Sequence, residues 1–478
     1  MSCNNVTEQA IFDKVVTRLT PWFPDTIMQQ IKAKKELTAV EIIRLLSILP
    51  KQAYSDFLDI PNDGLVFPKD HKMHFLQSQE WFYLALNLTG TQRGVNGAQP
   101  VRIGALSSIV RRSIDKNNNS ALFAPKTTNE VFRSSFSVTV EEDNYHQYFP
   151  DTGDFLGTSL GRYEPGVANK LPFVNIHKTP MEGLLPVAGS DGQMKWFITD
   201  SKTGAQLNLS LVCDSPLLLQ GPNENGILQM PGTGVNYMYY SFPYLKVTGT
   251  ITADEKTYDV SGSGWLDHQG GVIKPSSGIL AYLIGWAELF GASFRRLAWI
   301  WVQAQFPSTN TFITGASIGI DPQKVSKGSK FPWLGTIMKQ GVNKFYTGEL
   351  TVNDVFKSPD LDVSYVIDLS VTINDADTTF SLKSIVKDQR VFPADQGEIY
   401  EGSSNGILNI GKSNPVSGVG FIENMAFSSY EELVKQQYDA VGLKGPAPQK
   451  IKNLSGPIVT LAVISLIVLC IMIYRHFS

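Results

Sequence analysis

The nine residues Val260–His268, VSGSGWLDH, recur 156 positions later as Val416–Asn424, VSGVGFIEN. This spacing is that of a small domain and is far longer than the repeat of a solenoid. We therefore interpret the chain as a duplicated domain with the nonapeptide near the end of each copy. Glycines inside a strand indicate a bulge or a close approach of a neighbouring backbone. Each copy thus predicts a bend in the strand, and this bend sets the direction of the carboxylate side chain that follows the glycines.

Alternation of apolar and polar residues precedes each nonapeptide and is typical of half-buried strands. In YLKVTGTIT, Leu245, Val247 and Ile251 share one face, and ADEK at 253–256 predicts the turn of a hairpin. VIDLSVTIN repeats the pattern before the second copy. The chain's 40 glycines and 26 prolines separate many such short segments. The predicted fold class is all-β.

Before the C-terminal segments, residues 8–60 are the one region with convincing helical periodicity. TAVEIIRLLSIL begins with Thr38, three residues before Glu41, which is the spacing of a capping box. A packed helical extension and an amphipathic helix on a membrane or a partner are both compatible with the apolar stripe of this region.

The C-terminal segment from Ile458 to Tyr474 carries no charged residue and would span about 25 Å as a helix. It predicts a single-pass tail anchor in a membrane with the bulk of the chain in the cytosol, although a buried core helix has the same composition. The predicted domains are a helical extension (1–62), a first barrel (63–275), a second barrel (276–430), a linker helix (431–456) and a transmembrane anchor (457–474).

Several classes of function lack support in the sequence. The net charge of −3 and the absence of a basic run give no indication of a nucleic-acid partner. No third ligand at a metal-binding interval follows His71 and His74, so no metal is predicted. There is no Walker loop or dinucleotide-binding turn, and no cofactor is predicted. GTSLG at 157–161 matches the Gly-x-Ser-x-Gly pattern of hydrolases but lies in a loop-like context.

Asp267 is the candidate acid. Strand alternation places Trp265, Asp267 and Gln269 on one face of the strand, and Leu266 and His268 on the other. Without a bulge at 262–264 the carboxylate points outward. With a bulge it points inward beside the indole, where desolvation raises its pKa. A structural aspartate that closes a turn remains the alternative.

Two aromatic stretches accompany this candidate. EWFYLALNLTG places Trp81 and Tyr83 on one face of a strand and Glu80 on the other, and NYMYYSFPY contains Tyr239 and Tyr240. Aromatic side chains in a β-barrel either fill the core or hold a ligand.

Four motifs follow one another between about Leu65 and Phe427. They are FPKDHKMH with QEWFYLALNLTG, YYSFPYLKVTGTI with VSGSGWLDHQGG, IGWAELF, and IYEGSSNG with VSGVGFIENMAF. Together they resemble the lipocalin-like hydroxyneurosporene synthase (carotenoid 1,2-hydratase) and AttH family, whose more distant relatives include fungal two-barrel Diels-Alderases. The resemblance implies two tandem lipocalin-like antiparallel β-barrels that bind a large polyene, terpenoid or lipid without metal or cofactor.

The resemblance also implies a site. Its catalytic residues would be Asp267 and His74, and its ligand-binding residues would be Trp265, Gln269, His268, Tyr239, Tyr240, Glu80, Trp81, Tyr83 and Trp286. Where hydratases of the family place a His-x-aromatic pair, this chain has Met238 and Tyr240. The second copy, with Phe421, Glu423 and Asn424, is predicted to be structural.

Two functional hypotheses follow. The first is a membrane-anchored, cofactor-free hydratase, isomerase or cyclase in which Asp267 protonates a double bond. The second is a non-catalytic lipid-binding or scaffold protein on a membrane.

Overall fold

The computed structural model describes Gln29 and residues 64–67, 69–71, 79–115, 128–149, 162–164, 170–176, 179–184, 193–200, 202–229, 236–271, 298–374, 376–393 and 398–425. The predicted helical extension (1–62, Gln29 apart), linker helix (431–456) and anchor (457–474) lie outside them. Within the described ranges, no helix is long and apolar enough to cross a membrane. Helical structure in 64–425 is described only as short 3-10 segments at Lys69–His71, Pro307–Thr309 and Pro322–Lys324.

The first sheet has 13 described strands, all paired antiparallel. Its main path runs β4-β3-β2-β1-β13-β12-β9-β8-β7-β6-β5, and no described pairing joins its two ends, so we refer to it as the half-barrel. Its strands are β1 (Gln79–Gln92), β2 (Val101–Asp115), β3 (Thr128–Val140), β4 (Tyr145–Phe149), β5 (Arg162–Glu164), β6 (Lys170–Ile176), β7 (Thr179–Leu184), β8 (Gln193–Thr199), β9 (Gln206–Cys213), β10 (Leu218–Leu219), β11 (Ile227–Gln229), β12 (Asn236–Ala253) and β13 (Lys256–Gly271).

The second sheet closes on itself. Its order is β19-β18-β17-β16-β15-β14-β22-β21, and pairing of β19 with β21 completes an eight-strand ring to which β20 is attached. We refer to it as the closed barrel. Its strands are β14 (Ala298–Phe306), β15 (Thr311–Ile320), β16 (Lys330–Lys339), β17 (Val342–Lys357), β18 (Ser364–Ile373), β19 (Thr378–Ser384), β20 (Arg390–Val391), β21 (Ile399–Ile410) and β22 (Val416–Met425).

These two sheets confirm the all-β class and the place of the nonapeptides. The first copy lies in β13, the last strand of the half-barrel, which pairs with its first strand, β1. The second lies in β22, the last strand of the closed barrel, which pairs with its first strand, β14. The turn predicted at 253–256 is also confirmed. Asp254 and Glu255 have φ of 49° and 59°, as a two-residue type I′ turn requires.

A bulge considered at Gly262–Gly264 of β13 does not occur, and the register shift of this sheet region lies on the neighbouring strand β12. β13 pairs with β1 without any shift of register, whereas the shift occurs on β12 between Phe242 and Leu245. The glycines of β13 instead allow close approach of the neighbouring backbone. A Cβ on Gly262 would lie 2.4 Å from Asn87 O, and one on Gly418 in β22 would lie 2.3 Å from Gln305 O.

Each sheet has an apolar core on its inner face. The outer faces of β1, β12 and β13 are covered by the outer faces of β14, β15 and β22, and we call this shared layer the interbarrel face. Its apolar clusters comprise Tyr83, Ala85, Leu106, Trp301 and Phe421, and Leu218, Trp265, Phe312 and Met338. Because of this cover, β13 changes from alternating burial to burial on both faces from Gly264 to His268.

Candidate functional site

The structure divides the predicted site residues between two faces of the same three strands. Glu80, Tyr240 and His268 point into the core of the half-barrel, where their side chains are hydrogen-bonded to one another. The residues on the interbarrel face are Trp81, Tyr83, Tyr239, Trp265, Asp267 and Gln269. His74 and Trp286 lie outside the described residues. The single pocket expected from the sequence is therefore two separate groups of side chains.

Asp267 accepts hydrogen bonds from four side chains and is fully buried. The Ser241 hydroxyl and the Trp265 indole Nε1 donate to Oδ1 over 2.5 and 2.6 Å. The Tyr239 hydroxyl and the Gln269 amide donate to Oδ2 over 2.8 and 3.5 Å. Asp267 thus points outward from the half-barrel, as strand alternation without a bulge predicts, and the closed barrel is what buries it.

Burial raises the pKa of Asp267 from 3.8 to about 6, while the four donors act in the opposite direction. No cation is among the groups that shift the pKa of Asp267. The carboxyl group therefore titrates close to neutral pH.

Tyr239 joins Asp267 to the closed barrel. Its hydroxyl accepts a hydrogen bond from Trp301 Nε1 over 2.9 Å, and Thr314 Oγ1 lies 3.4 Å away. Burial, with the adjacent Asp267, raises the pKa of Tyr239 well above 10. The phenol therefore stays protonated and acts as a donor to the carboxylate.

Glu423, the counterpart of Asp267 in the second nonapeptide, lies on the same face. It is paired with Trp301 in the β14–β22 register and accepts a hydrogen bond from Trp299 Nε1 over 2.5 Å. Burial raises the pKa of Glu423 to about 7, and the charge of Asp267 adds to this rise. The sequence analysis predicted this residue to be structural, and its role stays a prediction.

Glu401 is a third carboxyl group of the interbarrel face. It lies opposite Glu423 in the β21–β22 register and accepts a hydrogen bond from the Tyr83 hydroxyl over 2.5 Å. Burial, with the charge of Glu423, raises its pKa well above 4.5. The Tyr83 ring lies edge-on to Trp301 and Phe421, at centroid distances of 5.7 and 6.2 Å, which gives the carboxyls an aromatic wall.

The interbarrel face has one accessible end. Asp267 is fully buried, whereas Trp81, Gln269, Trp299 and Glu423 are only partly buried. A ligand can therefore reach Glu423 more easily than it can reach Asp267.

Gln303 lies two residues beyond Trp301 on β14 and is fully buried. Among the described residues, neither its Nε2 nor its Oε1 has a hydrogen-bond partner, and the same holds for the Thr336 hydroxyl. Buried polar atoms normally have partners, so this part of the face offers both donors and acceptors to the polar group of a ligand. No group of residues suited to holding a metal ion occurs in the described part of the chain.

A cleft of about 920 Å³ lies elsewhere, between β4 and residues 385–392. Its lining includes Arg390, which is paired with Asp388, Asp360 and Glu398. The cleft does not contain the carboxyl groups of the interbarrel face, so we do not take it as the reaction site.

The sequence analysis did not include Glu401, Ser241 or Trp301 among the candidate site residues, and it predicted Glu423 to be structural. The repeat contained a signal for Glu423, because it aligns with Asp267. Ser241 lies opposite Asp267 only because of the register shift between Phe242 and Leu245, since the register set by the turn at 253–256 would place Phe242 there. Met238 and Tyr240 occupy the place of the His-x-aromatic pair of the hydratases. They alternate with Tyr239 and Ser241, so their side chains point into the half-barrel core and away from Asp267. Glu401 and Trp301 come from the closed barrel, and no local pattern links them to Asp267.

A family model described as AttH-like matches residues 59–272, the half-barrel region. A search of curated protein sequences found no significant match. Among solved structures, a putative AttH from Nitrosomonas europaea is 19% identical with a TM-score of 0.53, and the match covers 77% of this chain and 99% of that one.

Kievitone hydratase from Nectria haematococca is 14% identical with a TM-score of 0.50, over 76% of this chain and 93% of that one. A structure of CghA with Sch210972 is 11% identical with a TM-score of 0.37, over 73% and 88% of the two chains. The first two of these three likenesses show a shared fold.

Proposed function

We propose that this chain, whose residues 59–272 form an AttH-like domain, is a cofactor-free acid–base catalyst that acts on an unsaturated apolar compound at the interbarrel face. The observation that carries the proposal is the pair of carboxyl groups in unlike environments on one aromatic face. Asp267 is fully buried among four donors, and Glu423 is partly exposed with one indole donor. Burial raises the pKa of both carboxyl groups, to about 6 and about 7, and near neutral pH one such group can give a proton while the other accepts one.

Glu423 is the better proton donor of the two. With a pKa of about 7, it carries a proton in a large fraction of molecules at neutral pH. The sequence predicts Asp267 as the acid, but four side chains donate to Asp267 and one described side chain donates to Glu423, so hydrogen bonds stabilise the ionised form more at Asp267. Asp267 then acts as the base through Tyr239.

The proposed reaction begins when the Glu423 carboxyl proton bonds to one carbon of a double bond, using the π electrons of that bond. The aromatic faces of Trp299 and Trp301 stabilise the cation that results. Water adds to the cation, or an internal double bond closes a ring on it, and the released proton passes to Asp267 through Tyr239. Exchange with solvent at the accessible end restores the starting protonation.

The substrate class proposed is a polyene, a terpenoid or an unsaturated lipid. The aromatic lining of the interbarrel face supports an apolar substrate. The name of one structural neighbour, kievitone hydratase, supports hydration as the reaction.

Identification of the bound compound tests the proposal first. Organic extracts of the purified, detergent-solubilised protein are analysed by mass spectrometry, and each recovered compound is incubated with the protein in ¹⁸O-labelled water. We expect a product that gains one labelled water, or an isomer of unchanged mass if a ring closes. Glu423→Gln and Asp267→Asn should abolish conversion, and Glu349→Gln, which alters an exposed carboxylate paired with Lys330, should not. Equal conversion by all four proteins would refute the proposal.

The alternative is a non-catalytic lipid-binding or scaffold protein. The complete hydrogen bonding of Asp267 favours it, because all four donors lie on β12 and β13 and these contacts stabilise the pairing of those two strands. In that case the compound is recovered unchanged, and Asp267→Asn lowers the melting temperature without any effect on chemistry.

We also propose that residues 457–474 anchor the protein in a membrane, with the bulk of the chain in the cytosol. The support is the uncharged run from Ile458 to Tyr474. Deletion of 457–478 should release the protein from carbonate-washed membranes. Retention of the truncated protein would mean that another part of the chain binds the membrane.

A further inference from the structure

A chain of four polar side chains crosses the core of the half-barrel, on the face of β13 opposite to Asp267. Glu80 Oε1 lies 2.8 Å from His268 Nε2, and His268 Nδ1 lies 2.8 Å from the Tyr240 hydroxyl. That hydroxyl lies 2.8 Å from His71 Nδ1. All four residues are fully buried. We call this chain the core relay.

The surroundings of the core relay are aromatic. Phe82 stacks on His268 with centroids 4.1 Å apart. Phe67 and Phe242 lie against His71, at 4.5 and 5.5 Å. Burial of polar side chains among such rings is unfavourable unless each is hydrogen-bonded.

One end of the core relay has no partner. His71 Nε2 is buried and has no hydrogen-bond partner among the described residues. A buried ring nitrogen without a partner is uncommon. Its surroundings are aromatic apart from the other relay groups and the buried carboxyl group of Asp70, whose charge acts on His71. The nitrogen therefore presents one polar atom to a ligand in this core.

The core relay has two internally consistent arrangements of protons. With Glu80 ionised, His268 Nε2–H donates to it, Tyr240 donates to His268 Nδ1, and His71 Nδ1–H donates to Tyr240. His71 Nε2 is then a bare acceptor. With Glu80 protonated, every hydrogen bond reverses and His71 Nε2 carries a proton. Conversion from the first arrangement to the second takes up one proton from outside at His71 Nε2 and leaves one proton on Glu80.

We infer that the core relay is a second acid–base site, at which His71 Nε2 exchanges a proton with the hydroxyl group of an apolar phenol or enol held in the half-barrel core. An O–H group suits the bare nitrogen of the first arrangement, and the aromatic surroundings suit an apolar body. The site does not depend on the interbarrel carboxyls, because strand alternation places it on the opposite face.

The transfer balances without a co-reactant. The ligand O–H bond breaks and its electron pair stays on oxygen, while the proton bonds to His71 Nε2. His71 Nδ1–H passes its proton to Tyr240, Tyr240 passes its own to His268 Nδ1, and His268 Nε2–H passes its own to Glu80. The negative charge thereby moves from Glu80 to the ligand, and both histidines end neutral.

A nitrophenol with a hexyl chain is a suitable probe, because the ionised form absorbs at longer wavelength than the neutral form. In the full chain we expect the bound probe to be ionised at a pH at which the free probe is mostly neutral. Tyr240→Phe keeps the ring but interrupts the relay, and Glu80→Gln keeps the hydrogen bonding but removes the final proton acceptor. Both should bind the probe in its neutral form.

The matched control is Tyr258→Phe, which removes the hydroxyl of another tyrosine of the half-barrel core and should behave as the wild type. Thermal unfolding of each variant verifies that it is folded, and Glu80→Gln decides the matter if Tyr240→Phe unfolds. Equal ionisation of the probe in wild type and Glu80→Gln would overturn the inference, as would absence of binding by the wild type.

Nitrogen-15 NMR of His71 gives a second readout that needs no ligand. In the wild type we expect the chemical shift of an unprotonated Nε2 and a protonated Nδ1. Glu80→Gln should move the proton towards Nε2. A protonated Nε2 in the wild type would contradict the acceptor role.

Discussion

Asp267 and Glu423 occupy the same position in the two nonapeptides, yet their surroundings differ. Four donors surround the fully buried Asp267, whereas Glu423 has one described donor and is partly exposed. The repeat places both carboxyl groups on equivalent strands and on the same face of those strands, but the neighbouring side chains differ between the two sheets. At the scale of residues, these neighbours decide which carboxyl group holds a proton.

The pH dependence of stability should depend on Asp267. Its pKa is 3.8 when unfolded and about 6 when folded, so the folded state binds more protons between these values. The stabilisation is complete below pH 3.8 and is lost as the pH rises through 6, by about 3 kcal/mol. Urea unfolding from pH 4 to 8 should show this slope in the wild type, relative to Asp267→Asn.

The quantity to compare is the difference in unfolding free energy between wild type and Asp267→Asn, because two histidines change the stability with pH in the opposite direction. Burial lowers the pKa of His71 to about 3 and that of His146 to about 4. Their contribution to stability is therefore lost as the pH falls below 6.5. Both histidines remain in Asp267→Asn, so a constant difference across this range would contradict the raised pKa of Asp267.

The pH–rate profile of the proposed reaction should be bell-shaped. Activity should fall below about pH 6 as Asp267 is protonated, and above about pH 7 as Glu423 loses its proton. Any residual activity of Glu423→Gln should lack the alkaline limb, and that of Asp267→Asn should lack the acidic limb. If instead Glu423→Gln lacked the acidic limb and Asp267→Asn lacked the alkaline limb, Asp267 would be the acid.

At the scale of elements, the Gly-x-Gly segments bring strands together and do not kink them. The register of β13 continues through Gly262 and Gly264, and the register shift is on its neighbour β12. A bulge and a close approach have the same glycine signature. Only the pairing of the strands distinguishes them.

Gly262→Ala and Gly418→Ala should each destabilise the protein by roughly 1–3 kcal/mol. The added Cβ would lie 2.4 Å from Asn87 O in the first case and 2.3 Å from Gln305 O in the second, so neighbouring backbone must move. Denaturant unfolding measures the effect, with Ser261→Ala, at an exposed position of the same strand, as the control. Stability equal to that of Ser261→Ala would show that the strands accommodate the methyl group.

At the scale of the whole molecule, the interbarrel face joins the two sheets through apolar and polar contacts. Backbone carbonyls of one sheet accept from side chains of the other. Gln305 donates to Pro243 O and Gly264 O, and Asn87 donates to Gly420 O. An interface of this kind resembles a shared core more than a contact between independent domains.

A cut in the connection at 272–297 should therefore leave the two halves associated. The sequence GGVIKPSSG predicts that proteases cut there, and separation of the halves would expose Trp265 and Tyr83. We expect the nicked protein to elute as one species in size-exclusion chromatography and to unfold in one transition. Elution of two folded fragments would show that the sheets are independent.

Much of the fold could be predicted from the sequence. Alternation assigned Trp81 and Tyr83 to one face of β1 and Glu80 to the other, and the contacts in the structure confirm this. The turn at 253–256 was also predictable, because type I′ geometry depends on local residues. The duplication placed the two nonapeptides in equivalent last strands.

In strands without a register shift, the sequence by itself determined which side chains share a face, because the two-residue period of a strand is a local property of the backbone. On β12 the shift between Phe242 and Leu245 exchanges the two faces, and only the structure shows it. The sequence could not determine what covers each face. Asp267 lies on the outer face of its own sheet and is buried only because the closed barrel packs there. Only the tertiary structure brought Glu423 close to Asp267 and Glu401 close to Tyr83, because these residues lie on strands more than a hundred residues apart in the chain. Their carboxyl pKa values depend on these neighbours and therefore could not be read from the sequence.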